Sequence, residues 1–147
     1  MTRVLLLGLT ALLASSAIGK PLNPGQMKWG PAPPGLPAGA QAAVLSGDPT
    51  KEGMFTIRVK FPAGYRVMPH KHPTPELVTV INGQMSIGMG TTYRPRQAAT
   101  LVQGGYVALA PDMNHFAFTR TGATIQITSH GPFQIVYVNP RDDPRRR

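Results

Sequence analysis

Cysteine is absent from the 147 residues, which excludes disulfides, thiolate metal ligands, a cysteine nucleophile and iron–sulfur clusters together. Charge is scarce, at 14% of residues, and acidic groups scarcer still, six against fifteen Lys and Arg. Long apolar runs are lacking too. The longest spans residues 4–14 (VLLLGLTALLA), well short of the about 20 residues that a membrane-spanning helix needs. No window of helical length carries a 3.6-residue apolar period, so amphipathic helices are not expected. Gly and Pro are abundant instead, 16 each, a composition that suits short strands joined by turns. With 41% hydrophobic residues and about one domain's length of chain, a single core is feasible.

The formal charge of +9 raises the question of nucleic acid, and its distribution answers against it. Arg141, Arg145, Arg146 and Arg147 crowd the last seven positions, and Arg3 lies in the leader. The other basic residues are scattered, with no basic stripe interleaved with aromatics. No nucleic-acid partner is expected, and the basic tail (residues 141–147) reads as a solvated, frayed end. Residues 1–19 read as a secretory signal peptide: Met1-Thr2-Arg3, then the apolar run, then Ser15, Ser16, Ala17, Ile18 and Gly19. This predicts export, to a periplasm or out of the cell, and a mature form with no membrane span.

Residues 20–40 (KPLNPGQMKWGPAPPGLPAGA) are dense in Pro and Gly and predict an extended arm, since the prolines forbid regular helix and central strand. Trp29, with Met27 close by, is expected to anchor it on the body. From residue 41 to 140 the pattern changes to alternation. Phe55, Ile57, Val59 and Phe61 alternate with Thr56, Arg58 and Lys60, predicting a strand with one buried face. Residues 76–81 and 84–89, joined by Asn82-Gly83, read as a hairpin with a type I′ turn. Short strands are further predicted at residues 106–109, 115–119, 124–129 and 133–138. Such strands without intervening helices predict an all-β sandwich or small barrel.

His70 and His72 are two residues apart, so on a strand both imidazoles share a face while Lys71 points away. Glu76, one of two glutamates, opens the next predicted strand after Pro73-Thr74-Pro75, and His115 opens another. Three neutral imidazoles and a carboxylate suit a divalent first-row metal.

The spacing Gly64-(five)-His70-x-His72-(three)-Glu76-(six)-Gly83 resembles the first sequence motif of the cupins at every fixed position. Aligned on His115, the second cupin motif is matched by Gly104 and the histidine. Ala110 stands where proline is usual, Asp112 where glycine is usual and Thr119 where asparagine is usual. The resemblance, to small exported monodomain bacterial cupins, implies a double-stranded β-helix of the jelly-roll type over residues 41–140. It also implies one divalent metal (Fe, Mn, Ni, Cu or Zn) held by His70, His72, Glu76 and His115. A small-molecule substrate is implied as well, together with pairing into a homodimer through strand faces and exchanged N-terminal arms; the arm over residues 20–40, with Leu77 and Ile81 opposite Glu76, supplies the candidate contacts. Two open positions on such an ion fit a dioxygenase or other oxidoreductase acting on a small enolisable or hydroxylated carbonyl compound. The alternatives are a binding or sensor module around a saturated zinc and a metal-free isomerase. Catalytic residues are not assigned. Tyr65, Tyr93 and Tyr106 are candidate acids; His130 and Gln126 read as surface residues, the alternative being contacts to a ligand or substrate if their strand face points inward. Met68, Met85, Met89 and Met113 are assigned to core packing.

Overall fold

The computed structural model describes residues 19–146; apart from Gly19, the predicted export signal lies outside them. Eleven strands follow in order: β1 (Gly30–Pro31), β2 (Gln41–Ser46), β3 (Gly53–Phe61), β4 (Arg66–Lys71), β5 (Glu76–Gly83), β6 (Met85–Met89), β7 (Ala99–Leu101), β8 (Tyr106–Leu109), β9 (His115–Phe118), β10 (Ala123–Gly131) and β11 (Val136–Tyr137). They form a six-stranded sheet, β1-β2-β3-β10-β5-β8, and a five-stranded sheet, β11-β4-β9-β6-β7, with antiparallel pairing throughout. The two sheets face each other across one core in the predicted jelly-roll arrangement. Neither closes into a barrel. Among the described residues no helix is long and apolar enough to cross a membrane.

Alternation builds the core as the sequence predicts. Phe55, Ile57, Val59 and Phe61 of β3, at most 5% exposed, line up with Ile125 and Ile127 of β10 on the inner face. The outer face is polar and cross-linked: Thr56 and Thr128 hydroxyls lie 3.0 Å apart, and Arg58 Nε donates to Gln126 Oε1. His130 is exposed on that side, as its position opposite the isoleucines requires.

The Asn82-Gly83 step is not a hairpin turn. β5 pairs with β10 and β8, whereas β6 pairs with β9 and β7, so the chain crosses from one sheet to the other there. A type I′ turn needs left-handed backbone at both central residues, and only Gly83 has it, with φ 76°. A side chain at Gly83 would put Cβ 2.3 Å from the Gly122 carbonyl oxygen, so close backbone crossing is what demands glycine here.

The arm is extended but folded back. Met27 Sδ accepts from Arg58 Nη1, and the Lys60 ammonium lies 4.2 Å from the centre of the Trp29 ring. Gly30 and Pro31 then pair with β2 as an edge strand. Two buried phenols tie down the next stretch: Tyr137 donates to the Gly35 carbonyl at 2.6 Å and Tyr65 to the Pro37 carbonyl. The C-terminal end is not frayed either. Arg145 Nε and Nη2 each donate to a different Asp143 carboxylate oxygen at 2.8 Å, and Nη2 also donates to the Ile135 carbonyl, pinning the end beneath β11. A count of arginines cannot reveal that partner. The methionines divide: Met85 is core and Met68 packs against it, but Met89 and Met113 are 53% and 39% exposed, so core packing does not account for them.

Candidate metal centre

A one-residue irregularity sets the site. Across β4 and β9, Val67 faces Ala117 and His70 faces His115, so three residues of β4 span two of β9. This bulge falls at Met68 and Pro69. It turns His70 to the same inner face as Val67, and proline suits it because no N–H is left unpaired. His72, two residues on, then also points inward. Lys71 points away and pairs with Asp112 at 2.7 Å.

Asp112 has φ 59°, the left-handed conformation that the usual glycine would take. Its N–H donates to the His72 carbonyl at 2.8 Å, which fastens the loop before His115 to the end of β4. Asp112→Gly should therefore change stability by less than about 0.5 kcal/mol, because relief of the backbone offsets an exposed ion pair. Asp112→Val, β-branched, should cost about 1–2 kcal/mol. Urea unfolding of the two variants checks both values. Glu76 is placed from the other side. Ser129 Oγ donates to the Pro75 carbonyl at 2.7 Å and Thr74 Oγ1 to the His130 carbonyl at 2.9 Å, which holds the bend before β5 against β10.

All four groups singled out in the sequence meet here. His70, His72, Glu76 and His115 are 3–6% exposed. One nitrogen from each of the three imidazoles lies within 4.8 Å of the others. Glu76 Oε2 is 3.4 Å from Nε2 of both His72 and His115. Each Nδ1 contacts a backbone carbonyl: His70 that of Met68 at 2.7 Å, His72 that of Gln134 at 2.7 Å and His115 that of Met113 at 3.0 Å. A carbonyl only accepts, so each Nδ1 carries the proton and each Nε2 presents a lone pair. His72 Nε2 is buried with no hydrogen-bond partner.

Lone pairs converging on a carboxylate repel one another unless a cation lies among them. The donor set therefore fits a metal ion, of the kind bound by imidazole and carboxylate. Without one, protons carry the balance. Burial pushes His70 down to about 3, helped by the neighbouring His115 and His72. Burial also pulls on His72, but the Glu76 carboxylate outweighs it and raises the pKa. Burial pushes Glu76 up, and the His115 and His72 imidazoles beside it outweigh that, holding it below the usual carboxylate range.

The metal-free protein should thus lose stability as pH falls. Between about 6.5 and about 3 the unfolded chain protonates the residue-70 imidazole and the folded chain does not, at up to about 1.4 kcal/mol per pH unit. Glu76 adds loss in the same direction below about 4.5. The contribution of His72 is complete below about 6.5 and fades only as pH rises, so it offsets nothing in acid. Urea unfolding in a chelator at about pH 6 and about pH 4 measures this. Equal stability at both would contradict it.

The centre opens onto a cavity of 40 Å³ walled by apolar side chains, among them Val67, Ile87, Ala117, Ile125 and Ile135. That is room for an ion and a few waters. Among the residues lining it, the only ionisable ones are the same three histidines and Glu76. The candidate acids lie elsewhere. Tyr65 is engaged with the arm, Tyr93 packs on Phe116 and Phe118 at 4.9 and 6.0 Å, and Tyr106 is exposed.

Sequence reasoning missed three contributors. Phe133 stacks on His72, with ring centres 4.8 Å apart and planes 16° from parallel, and the Gln134 carbonyl sets the tautomer of that ring. Leu36, from the arm, lines the cavity. Gly131-Pro132 marks a turn before Phe133, but no local pattern joins that turn to a histidine some sixty residues earlier.

The family described as "Domain of unknown function (DUF4437)" matches residues 20–136, arm included. No curated protein sequence shows significant similarity. Among solved structures, the polyketide cyclase RemF from Streptomyces resistomycificus superposes with a TM-score of 0.68 at 15% identity, over 85% of this chain and 89% of that one. An RmlC-like cupin from Shewanella frigidimarina gives 0.58 at 16%, over 74% and 87%. An oxalate oxidase gives 0.53 at 21%, over 69% and 56%. At these identities the likeness is one of fold, and the fold is that of the cupins.

Proposed function

This chain belongs to the DUF4437 family, and from that starting point we propose that it is a metal-dependent oxidoreductase, of the dioxygenase type, acting on a small enolisable or hydroxylated carbonyl compound. The observation that carries this is the buried set of His70, His72, His115 and Glu76, whose Nε2 lone pairs and carboxylate face one another. These four would hold one divalent ion. When bound, it supplies Lewis acidity toward an oxygen substrate.

The chain's own residues do the rest. Three backbone carbonyls hold the imidazoles in the tautomer that presents Nε2. Glu76 offsets one unit of positive charge, and the aliphatic walls exclude water. No further acid or base lines the cavity, so the site offers no group placed to take a substrate proton. This suits a substrate already acidic enough to ionise beside a cation. The comparison with oxalate oxidase is consistent with such chemistry.

Anaerobically prepared protein loaded with Fe(II), Mn(II), Ni(II) or Cu(II) should consume oxygen with a member of a diketone, flavonol and oxalate panel, and His72→Ala should not. Inactivity with every metal and substrate, while metal is bound, would favour the second reading. That reading is a binding module around zinc saturated by four ligands, which the small cavity favours.

Export and pairing also belong to this proposal. Mass spectrometry of the secreted or periplasmic protein should show cleavage after Ala17 or Gly19. A homodimer through Leu77 and Ile81 gains support from Tyr106, 56% exposed on the adjoining edge strand. The arm folds onto its own chain, so an exchange of arms is not needed for pairing. Leu77→Lys should yield a monomer by light scattering.

A further inference from the structure

A second, larger space also borders Phe133. It is a groove of 730 Å³ whose walls are Pro31, Pro34, Val44, Ile57, Pro132 and the Phe133 ring. That volume is in the range of small-molecule sites, whereas the 40 Å³ beside the histidines holds little more than one or two substrate oxygens. Phe133 borders both spaces. Its ring is fixed by stacking on His72 and by an edge contact with Phe55 at 5.5 Å. Any substrate larger than those few atoms needs room beyond the metal cavity, and the groove is the adjoining room.

The walls specify an apolar body. The rim carries two cations, each with a carboxylate partner: Lys51 pairs with Asp48 at 3.2 Å and Arg145 with Asp143 at 2.8 Å. Arg145 commits Nε and Nη2 to Asp143 and the Ile135 carbonyl, and its Nη1 has no acceptor among the described residues.

We infer that the groove binds the apolar body of a small aromatic or branched aliphatic carboxylate, which packs on Phe133 with its anionic group at Arg145. The inference rests on the proposed function in that it names the substrate class of the same site. Phe133 would then determine specificity, since its ring stacks on a metal ligand and also lines the groove.

Benzoate, acetate and benzamide serve as probes of body and charge, titrated calorimetrically into the Co(II)-loaded protein. Benzoate should bind at least about 10-fold more tightly than acetate, which lacks the ring, and about 10-fold more tightly than neutral benzamide. Val44→Arg and Ala32→Trp, which fill the groove from different walls, should each reduce benzoate to the acetate level and leave Co(II) affinity unchanged. Arg145→Met should remove the preference for benzoate over benzamide. Benzoate no tighter than acetate, or unaffected by both groove-filling variants, overturns the inference. These readouts separate the two proposals. Failure of Co(II) to bind while benzoate still enters the groove would count against the metal reading alone; bound Co(II) with no ring preference would count against the groove alone.

Discussion

His72→Ala should lower the affinity for Co(II) or Zn(II) by more than about 100-fold, the upper end of what loss of a ligand's outer partner costs. His72 is the sharpest test among the three imidazoles. Its ring is fixed on one side by Phe133 and at Nδ1 by the Gln134 carbonyl, leaving only Nε2 to act, and that atom has no partner in the protein. In the wild type, metal at about 100 times its dissociation constant should add about 2.7 kcal/mol to stability, or about 10 °C in midpoint for a domain of this size. In His72→Ala that increment should fall below about 0.4 kcal/mol at the same metal concentration. His130→Ala is the control. His130 is exposed, so its removal should leave both affinity and increment unchanged. Chelator competition and thermal unfolding read the two quantities separately.

Glu76→Leu should cost both metal binding and metal-free stability. The carboxylate is buried beside two imidazoles and held as an anion below its usual range. Its desolvation is costly unless a cation or a proton compensates it. Leucine has a similar volume and no charge. Without metal the variant should lose up to about 3–5 kcal/mol, because removing one member of a buried charged pair leaves its imidazole partners uncompensated. Metal affinity should fall by more than about 100-fold. A purely structural Glu76 predicts the same destabilisation with the metal-induced increment retained. Urea unfolding with chelator and with excess Zn(II) distinguishes them.

The convergence of His70, His72, Glu76 and His115 was legible because it depends on spacing along strands and on a motif with several fixed positions. The strand β3 was legible for the same kind of reason, an unbroken alternation from Phe55 to Phe61. What was not legible depends on contacts between distant segments. The bulge at Met68 and Pro69 decides that His70 faces inward, yet a strand with one extra residue reads like any other until its partner is known. Asn82-Gly83 has the local chemistry of a hairpin turn, and the sheets override it by drawing β5 and β6 into different layers. Asp112 departs from the glycine of the second motif without disturbing the turn, since aspartate tolerates left-handed backbone and Lys71 is there to pair it. The arm's prolines announced an extended segment, but not that Tyr65 and Tyr137 would hold Leu36 in the wall of the metal cavity.

The most direct test is X-ray absorption of the Co(II)-loaded protein. One ion with three imidazole nitrogens and a carboxylate oxygen in its shell is the predicted result; a shell holding fewer than three imidazoles would contradict it.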